Sequence, residues 1–420
     1  MLFKEKMLAL PLECSIVKGA PSMMIRSDWV RVSAIGCCLI DYLFHEESYS
    51  KSVFNEYRSV SPGDGGLLVG GLVFGEQLAE FARLPFDALL RHLIPHPEKG
   101  IENIGGPAAV SLIHAAQLLH DSPHSFHFYG VAGDDVEYRL IREHIAKTVI
   151  DPRFLILEGE RTPTTYVLND RHAHGGKGER TFVNLLGSAA HVIEADVGDD
   201  AYQSDIVLFG GTALWPAFHT RIDQALRRAK AEGALTIVGA VFDFMNEHRS
   251  SSEKWPFGQE SGYPFVDLLV CDALEARRMS GQRDAENAAA FFDEAGVGAG
   301  IITQGAKDII AWSKEESVFG HTPLTRFPVC GYIDELLEKD PSLRKDTTGC
   351  GDNFLGGVLA SIVSHGAKKC SMVNAITLGG ASGGFALTHH GGMFHETYPG
   401  EKRSLLEPVL KAYSEQLGVI

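Results

Sequence analysis

The chain has 420 residues, 45% of them apolar, enough to bury a large core as two or three domains or as one α/β domain with insertions. Its formal net charge is −16 and its pI is about 5.6, with no Lys/Arg cluster, so nucleic acid and anionic membrane are poor partners: a duplex binder needs a basic face to displace counterions. Its seven cysteines include no C-x-x-C pair and are irregularly spaced, which argues against a disulfide framework or zinc knuckle and for a reducing cytoplasm.

Taken in chain order, residues 1–29 read as an extension. Its short apolar run, Met7–Leu12, resembles a signal peptide, but Glu5 and Glu13 flank it, Pro11 interrupts it and no A-x-A site follows. No run approaches the ~20 apolar residues of a membrane span. Val30–Ile35 reads as the first buried strand, before Gly36. Residues 42–66 read as exposed strands and a loop, the latter at Pro62–Gly66. Residues 75–94 have helical spacing, broken by Pro85.

From residue 101 the rhythm is α/β. Gly105-Gly106-Pro107 opens a small-residue helix through Leu119, Phe126–Val131 is a strand, and a helix runs to about Lys147. Residues 153–186 read as strands, with a hairpin around Arg171–Arg180. Strands then follow at Ile206–Phe209, Leu235–Val241, Leu268–Val270, Gly300–Thr303 and Ile309–Trp312. They alternate with helices at 216–231, 273–280, 284–295, 352–365 and 371–388. Such alternation implies a mostly parallel sheet with helices on both faces. The expected α/β body is 30–41, 101–152 and 187–420. Segments 42–100 and 153–186 are expected to pair as a small β-sheet lid.

The densest chemical signal is Asp346-Thr347-Thr348-Gly349-Cys350-Gly351-Asp352, running into the apolar helix Phe354–Val363. Gly349 and Gly351 permit a tight turn and a close approach to ligand. Unsatisfied amides at the helix start make an anion site fit for a phosphoryl group in transfer. Asp352, at its edge, can accept the proton of an attacking hydroxyl. A lone Asp at that place is an N-cap; two glycines, two threonines and a second acid ahead of it favour the chemical reading.

Here the chain resembles the PfkB family of carbohydrate kinases, whose pattern Asp-Thr-x-Gly-Ala-Gly-Asp it matches with Cys350 in place of Ala. The resemblance implies a ribokinase-like three-layer α/β sandwich with a β-sheet lid and ATP-dependent phosphorylation of a hydroxymethyl group on a small sugar or sugar derivative. It further implies Asp352 as base and the amides of Gly349, Cys350 and Gly351 as anion hole. Val30–Asp41 resembles the family's first strand, ending in an Asp that binds substrate hydroxyls, a role that falls to Asp41. Asn103-Ile104-Gly105-Gly106-Pro107 resembles its Gly-Gly substrate motif, with Val110 where the family usually has Asn. Asp272 and Glu275 match Asn-x-x-Glu with Asp for Asn, which implies that Glu275 orients Mg²⁺ through water. Thr303-Gln304-Gly305 resembles the Thr-x-Gly nucleotide motif. Asp272, Thr303, Gly305 and Thr348 are the implied nucleotide contacts. A monovalent cation is carried as an expectation with no residue assigned. Asp41 and Gly105 are 64 residues apart, more than is usual in the family. The extra material is expected to extend the lid or to form a homodimer contact there.

The glycine-rich segment Gly379–Gly384 can flank a flat base or pack helices closely. Gly296–Gly300 precedes a strand, the reverse of a dinucleotide fingerprint. His172, His174, His389 and His390 lack metal-ligand spacing, and 243–249 is a candidate pocket wall. A nucleoside kinase on the same scaffold stays open, with Tyr42, Phe44, Phe54 and Tyr57 as candidates for an aromatic lid. A non-catalytic sugar- or nucleotide-binding sensor stays open as well.

Overall fold

The computed structural model describes residues 29–45, 49–61, 63–170, 172–173, 179–345 and 347–419. Residues 1–28 of the extension read over 1–29, and Pro62, His174 and Asp346, lie outside them.

Among the described residues, fourteen strands form two sheets. The larger contains β1 (Arg31–Gly36), β5 (Ser125–Gly133), β6 (Ile150–Leu157), β9 (Ile206–Gly210), β10 (Leu235–Gly239), β11 (Leu268–Asp272), β12 (Ala299–Gln304), β13 (Lys307–Ser313) and β14 (Thr322–Phe327). Its order is β14-β13-β12-β11-β10-β9-β1-β5-β6. Pairing is parallel from β12 to β6 and antiparallel at β12–β13 and β13–β14. Parallel strands need crossovers, and helices cover both faces. On one face lie α1 (Pro107–Leu118), helix Gly331–Lys339, α3 (Cys350–Ser364), α4 (Met372–Ala386) and α5 (Glu401–Gln416), packed around Val32, Ala34, Leu208 and Ile237. On the other, helices Pro216–His219, Ile222–Ala231, α2 (Ala273–Ser280) and Ala285–Glu294 pack around Ile35, Val207, Phe209 and Leu269. Alternate residues of one strand thus feed opposite layers.

The smaller sheet has the order β3-β8-β7-β2-β4, from β2 (Leu39–Phe44), β3 (Leu72–Phe74), β4 (Ile101–Gly105), β7 (Thr164–Asp170) and β8 (Glu179–Leu185). Helices Ser52–Glu56, Gly75–Ala82 and Phe86–Leu93 cover its outer face with Phe54, Leu78, Leu89 and Leu93 against Phe44, Leu168 and Val183. Pro85 separates two of these helices, and Arg83 ends the first in the left-handed region at φ 55°.

Several expectations shift. The apolar run from residue 30 is two strands, not one ending at Asp41. Gly36 has φ 151°, and a Cβ there would lie 2.0 Å from the Gly210 carbonyl oxygen, so the chain leaves the large sheet and re-enters the small one at Leu39. Tyr42–Phe44 is therefore not exposed; burial of the outer face under the lid helices hides it. Residues 153–157, read as part of the lid segment 153–186, instead belong to the half-exposed edge strand β6 of the large sheet, while 101–105, read as part of the body, joins the small one. Helix 216–231 is two pieces meeting at Thr220–Arg221. Strand β14, helix Gly331–Lys339 and α5 add to the expected elements. No helix among the described residues is long and apolar enough to cross a membrane.

Candidate active site

Gly349 caps α3 in the left-handed conformation, φ 76°, and a Cβ there would lie 2.5 Å from Gly392 Cα. Only glycine meets both demands. A Cβ at Gly351 would meet nothing within 4 Å, so this side of the turn is open. Among the described residues, the Gly349 and Gly351 N–H groups donate to no protein acceptor, whereas Cys350 N donates to Thr347 O at 3.3 Å. Of the three amides expected to hold an anion, the middle one thus closes the turn instead. Asp352, in the first turn of α3, keeps its backbone carbonyl tied to Ser111 Oγ at 2.9 Å. Burial pushes its carboxyl up to about 6. The helix N-terminus favours the ionised form, but removal from water outweighs it here.

Asp41 approaches the same region from the lid. It sits mid-strand in β2, opposite Asn103 of β4, and is buried. Its carboxylate lies across Gly105: a Cβ at 105 would be 2.2 Å from Asp41 Oδ2. Gly106 then turns with φ 93° into α1, passing Cys37 so closely that a Cβ would lie 2.4 Å from the Cys37 carbonyl oxygen. Burial pushes the Cys37 thiol far up, and Asp41 and then Asp352 push it further. Both carboxylates therefore border the junction where β1 hands over to β2. Val110, in place of the family's Asn, packs toward Gly392, where a Cβ would lie 2.7 Å from Val110 Cγ2.

Strand register carries this polar row across the lid. Asn103, Asp41, Thr165 and Asn184 are successive partners on β4, β2, β7 and β8, and all are buried. Asn184 Nδ2 donates to Thr165 Oγ1 at 2.8 Å. Asn103 accepts from Met393 N at 3.1 Å and donates to His390 O at 2.7 Å, which ties the lid base to the loop facing α3. The aromatics that kept a nucleoside site open lie elsewhere. Phe44, Phe54 and Tyr57 are in the outer lid core, and Tyr42 stacks on Tyr166 with ring centroids 5.5 Å apart. Phe182 is the ring on the inner face, since it pairs with Val167 and that with Leu43, in phase with Asp41. Arg180 lies over that ring, 5.4 Å from its centroid, and donates to Thr348 Oγ1 at 2.5 Å. Arg180, Thr165 and Asn184 carried no signal in the sequence, because their phase relative to Asp41 is set by pairing across the sheet.

Asp272 and Thr303 are register partners at the carboxyl ends of β11 and β12, and Gly305 turns beyond them with φ 63° and open space around it. Asp272 caps α2, accepting from Leu274 N and Glu275 N at 2.7 and 2.8 Å. Glu275 is buried and turned back, accepting from Asp272 N at 2.8 Å. This is a reciprocal capping box. Burial first, then Asp272, push the Glu275 carboxyl up to about 8, with Asp352 adding to it. Among the described residues no group of three or more His, Cys, Asp or Glu converges on a metal position. The glycines of α4 are consumed in packing: a Cβ at Gly380 would lie 2.5 Å from Tyr413, one at Gly383 3.1 Å from Cys350 O, and one at Gly384 2.7 Å from Ile333. Asp243 caps helix Phe244–Arg249 and lines a small cavity with Thr212, His219 and Trp255.

Comparison with known proteins gives the family and the fold. The family model described as pfkB family carbohydrate kinase matches residues 86–326, a span that ends before the glycine turn at 349–351. The aminoimidazole riboside kinase of Salmonella typhimurium is 24% identical over 290 residues, covering 66% of this chain and 81% of that protein. Among solved structures, adenosine kinase from Sinorhizobium meliloti aligns with TM-score 0.63 and 18% identity over 89% of this chain and 99% of its own. Adenosine kinase from Schistosoma mansoni in complex with 2-fluoroadenosine gives 0.65 and 14% over 87% and 97%. Ribokinase from Thermotoga maritima gives 0.58 and 18% over 91% and 100%. At these identities the structural likeness speaks for the fold.

Proposed function

Because the chain belongs to the pfkB family of carbohydrate kinases and is an ATP-dependent kinase, we propose that it phosphorylates a hydroxymethyl group of a small sugar or sugar derivative, with Asp352 as the base. What supports this is that Asp352 follows two amides with no protein acceptor among the described residues, and that Asp352 and the lid's Asp41 both act on the buried Cys37 thiol. Asp41, Thr165 and Asn184 offer acceptors and donors for vicinal hydroxyls. They hold the acceptor so that its hydroxymethyl group meets Asp352. A carboxylate near 6 is mostly ionised at neutral pH yet basic enough to take up a hydroxyl proton as the phosphoryl group departs. The Gly349 and Gly351 amides receive charge on the transferred group. Arg180 brings a cation from the lid to Thr348 beside this turn and closes the space against water.

ATP is read at Asp272, Thr303, Gly305 and Thr348, where open backbone lies at the carboxyl ends of adjacent strands. The residues present fit Mg²⁺. Asp272 and Asp352 both push the buried Glu275 carboxyl up, and a divalent cation that keeps most of its waters would relieve it with Glu275 as the outer acid. Bound there, Mg²⁺ supplies neutralisation of phosphate charge. We assign no residue to a monovalent cation, and the lid's outer face, covered by helices of its own chain, gives a lid-to-lid homodimer no support.

The nucleoside reading rests on the adenosine kinase neighbours and on Phe182. The outward direction of Tyr42, Phe44, Phe54 and Tyr57 and the polar inner row favour a compact polyol. ADP release with a panel of pentoses, hexoses, acid sugars and nucleosides tests this. Turnover confined to nucleosides overturns the sugar assignment, and saturable binding with no turnover on any acceptor favours a sensor.

A further inference from the structure

Behind the glycine turn, a polar network lies inside the otherwise apolar layer of α1, α3, α4 and α5. Lys402 of α5 has no exposed surface, and neither have Asn353, His114 and Ser382; Gln117 has 3%. Lys402 Nζ donates to Asn353 Oδ1 at 3.0 Å and to Gln117 Oε1 at 3.1 Å. Asn353 Nδ2 donates to Gly349 O at 2.8 Å and to Gly392 O at 2.9 Å. Two carbonyls on one side fix which end of the Asn353 amide is nitrogen. His114 Nδ1, 2.7 Å from Asn353 Oδ1, must then carry the proton, and its Nε2 accepts from Ser382 Oγ at 2.8 Å. Each polar atom of the Asn353 side chain is thereby engaged.

We infer that Lys402 and Asn353 are a positioning couple for phosphoryl transfer: the buried ammonium and His114 lock the Asn353 amide, which clamps the carbonyl of the helix-capping Gly349 to the 392 loop. A lysine enclosed among apolar helices is an expensive way to fill space. The fold places it against Asn353, the residue next to Asp352, and the Asn353 amide holds the carbonyl of Gly349. His114 stays neutral, since burial and the nearby Lys402 both hold its pKa low, so any positive charge in the clamp is that of Lys402. Glu396, which accepts from Lys402 N at 2.9 Å, partly compensates that charge. The couple sits outside the span matched by the family model, and its catalytic consequence rests on the kinase reading.

Three variants test it: Lys402→Met, Asn353→Asp and the double. Methionine fills the same volume without the charge, a change that is often neutral or stabilising for a buried ion. Asn353→Asp keeps a partner for Lys402 and sets an oxygen in place of the two amide donors against the Gly349 and Gly392 carbonyls, so it serves should Lys402→Met fail to fold. Expected in each single variant are a cooperative melting transition, faster hydrogen exchange at the 349–353 amides, and kcat down ~10–100-fold, the scale of about 1 Å of misplacement. KM for both substrates should stay within about two-fold, because only transition-state alignment is lost. The double variant should lose no more than the worse single one, since both act through one clamp. Wild-type exchange and kcat in the single variants, or losses that add, overturn the couple. If wild-type protein phosphorylates no acceptor, the kinase reading fails on its own, and the exchange measurement still decides whether the clamp exists.

Discussion

Gly105→Ala probes the substrate side with one added methyl group. The new Cβ would lie 2.2 Å from Asp41 Oδ2, 2.7 Å from Asp41 Cγ and 2.6 Å from Leu39 Cδ1. Ordinary contact begins at 3.4 Å, so the carboxylate must retreat or β2 and β4 must part. Parting is resisted by the antiparallel ladder from Leu39–Gly105 to Leu43–Ile101. The carboxylate therefore moves by about 1 Å, a misplacement that costs ~10²-fold when the group orients a substrate. At about 1.4 kcal/mol per factor of ten, that is about 3 kcal/mol of transition-state stabilisation. Steady-state ADP release should show kcat/KM for the sugar reduced ~100-fold while KM for ATP is unchanged, since the nucleotide contacts at Thr303 and Gly305 are on other strands. Overpacking itself lowers stability by about 1–3 kcal/mol, so melting is measured alongside. A folded variant with wild-type kcat/KM for the sugar would refute Asp41 as the group that holds the acceptor.

Asp352→Asn should leave ATP binding intact and lower kcat at least ~10²-fold; wild-type turnover would remove it as base. In the unsubstituted protein the base must be ionised, so kcat/KM should be level above pH about 6 and fall tenfold per unit below it; a profile flat to pH 5 contradicts the burial that raises this carboxyl. Arg180→Met removes the lid cation beside Thr348 and should lower kcat ~10–100-fold with the fold retained, read from turnover and far-UV circular dichroism. Lys402, held down to about 7 against 10.5 for a free lysine, takes up a proton on unfolding across that window. Stability should therefore fall as pH drops from about 10.5 to about 7, and Lys402→Met should flatten that slope in chemical denaturation.

Much of this protein could be read along the chain. The alternation of apolar strands and helices after residue 101 demands a parallel sheet with two covered faces, because each element buries one stripe or both sides. The run Gly349-Cys350-Gly351-Asp352 declares a tight turn into a buried helix with an acid in its first turn, since local backbone freedom and helix-end amides are properties of adjacent residues. Tertiary structure alone decided what depends on register and long-range contact. It set Asp41 on a lid strand because Gly36 cannot carry a side chain past Gly210. Pairing across β4, β2, β7 and β8 put Asn103, Asp41, Thr165 and Asn184 on one face and sent Tyr42, Phe44, Phe54 and Tyr57 to the other. It turned Glu275 back onto the N-terminus of its own helix. It also brought Lys402 to Asn353, 49 residues away in sequence, across the interior of a helical layer. Periodicity reports which face of an element is apolar; it does not report which distant residue completes a buried polar group, and that completion is what shapes this site.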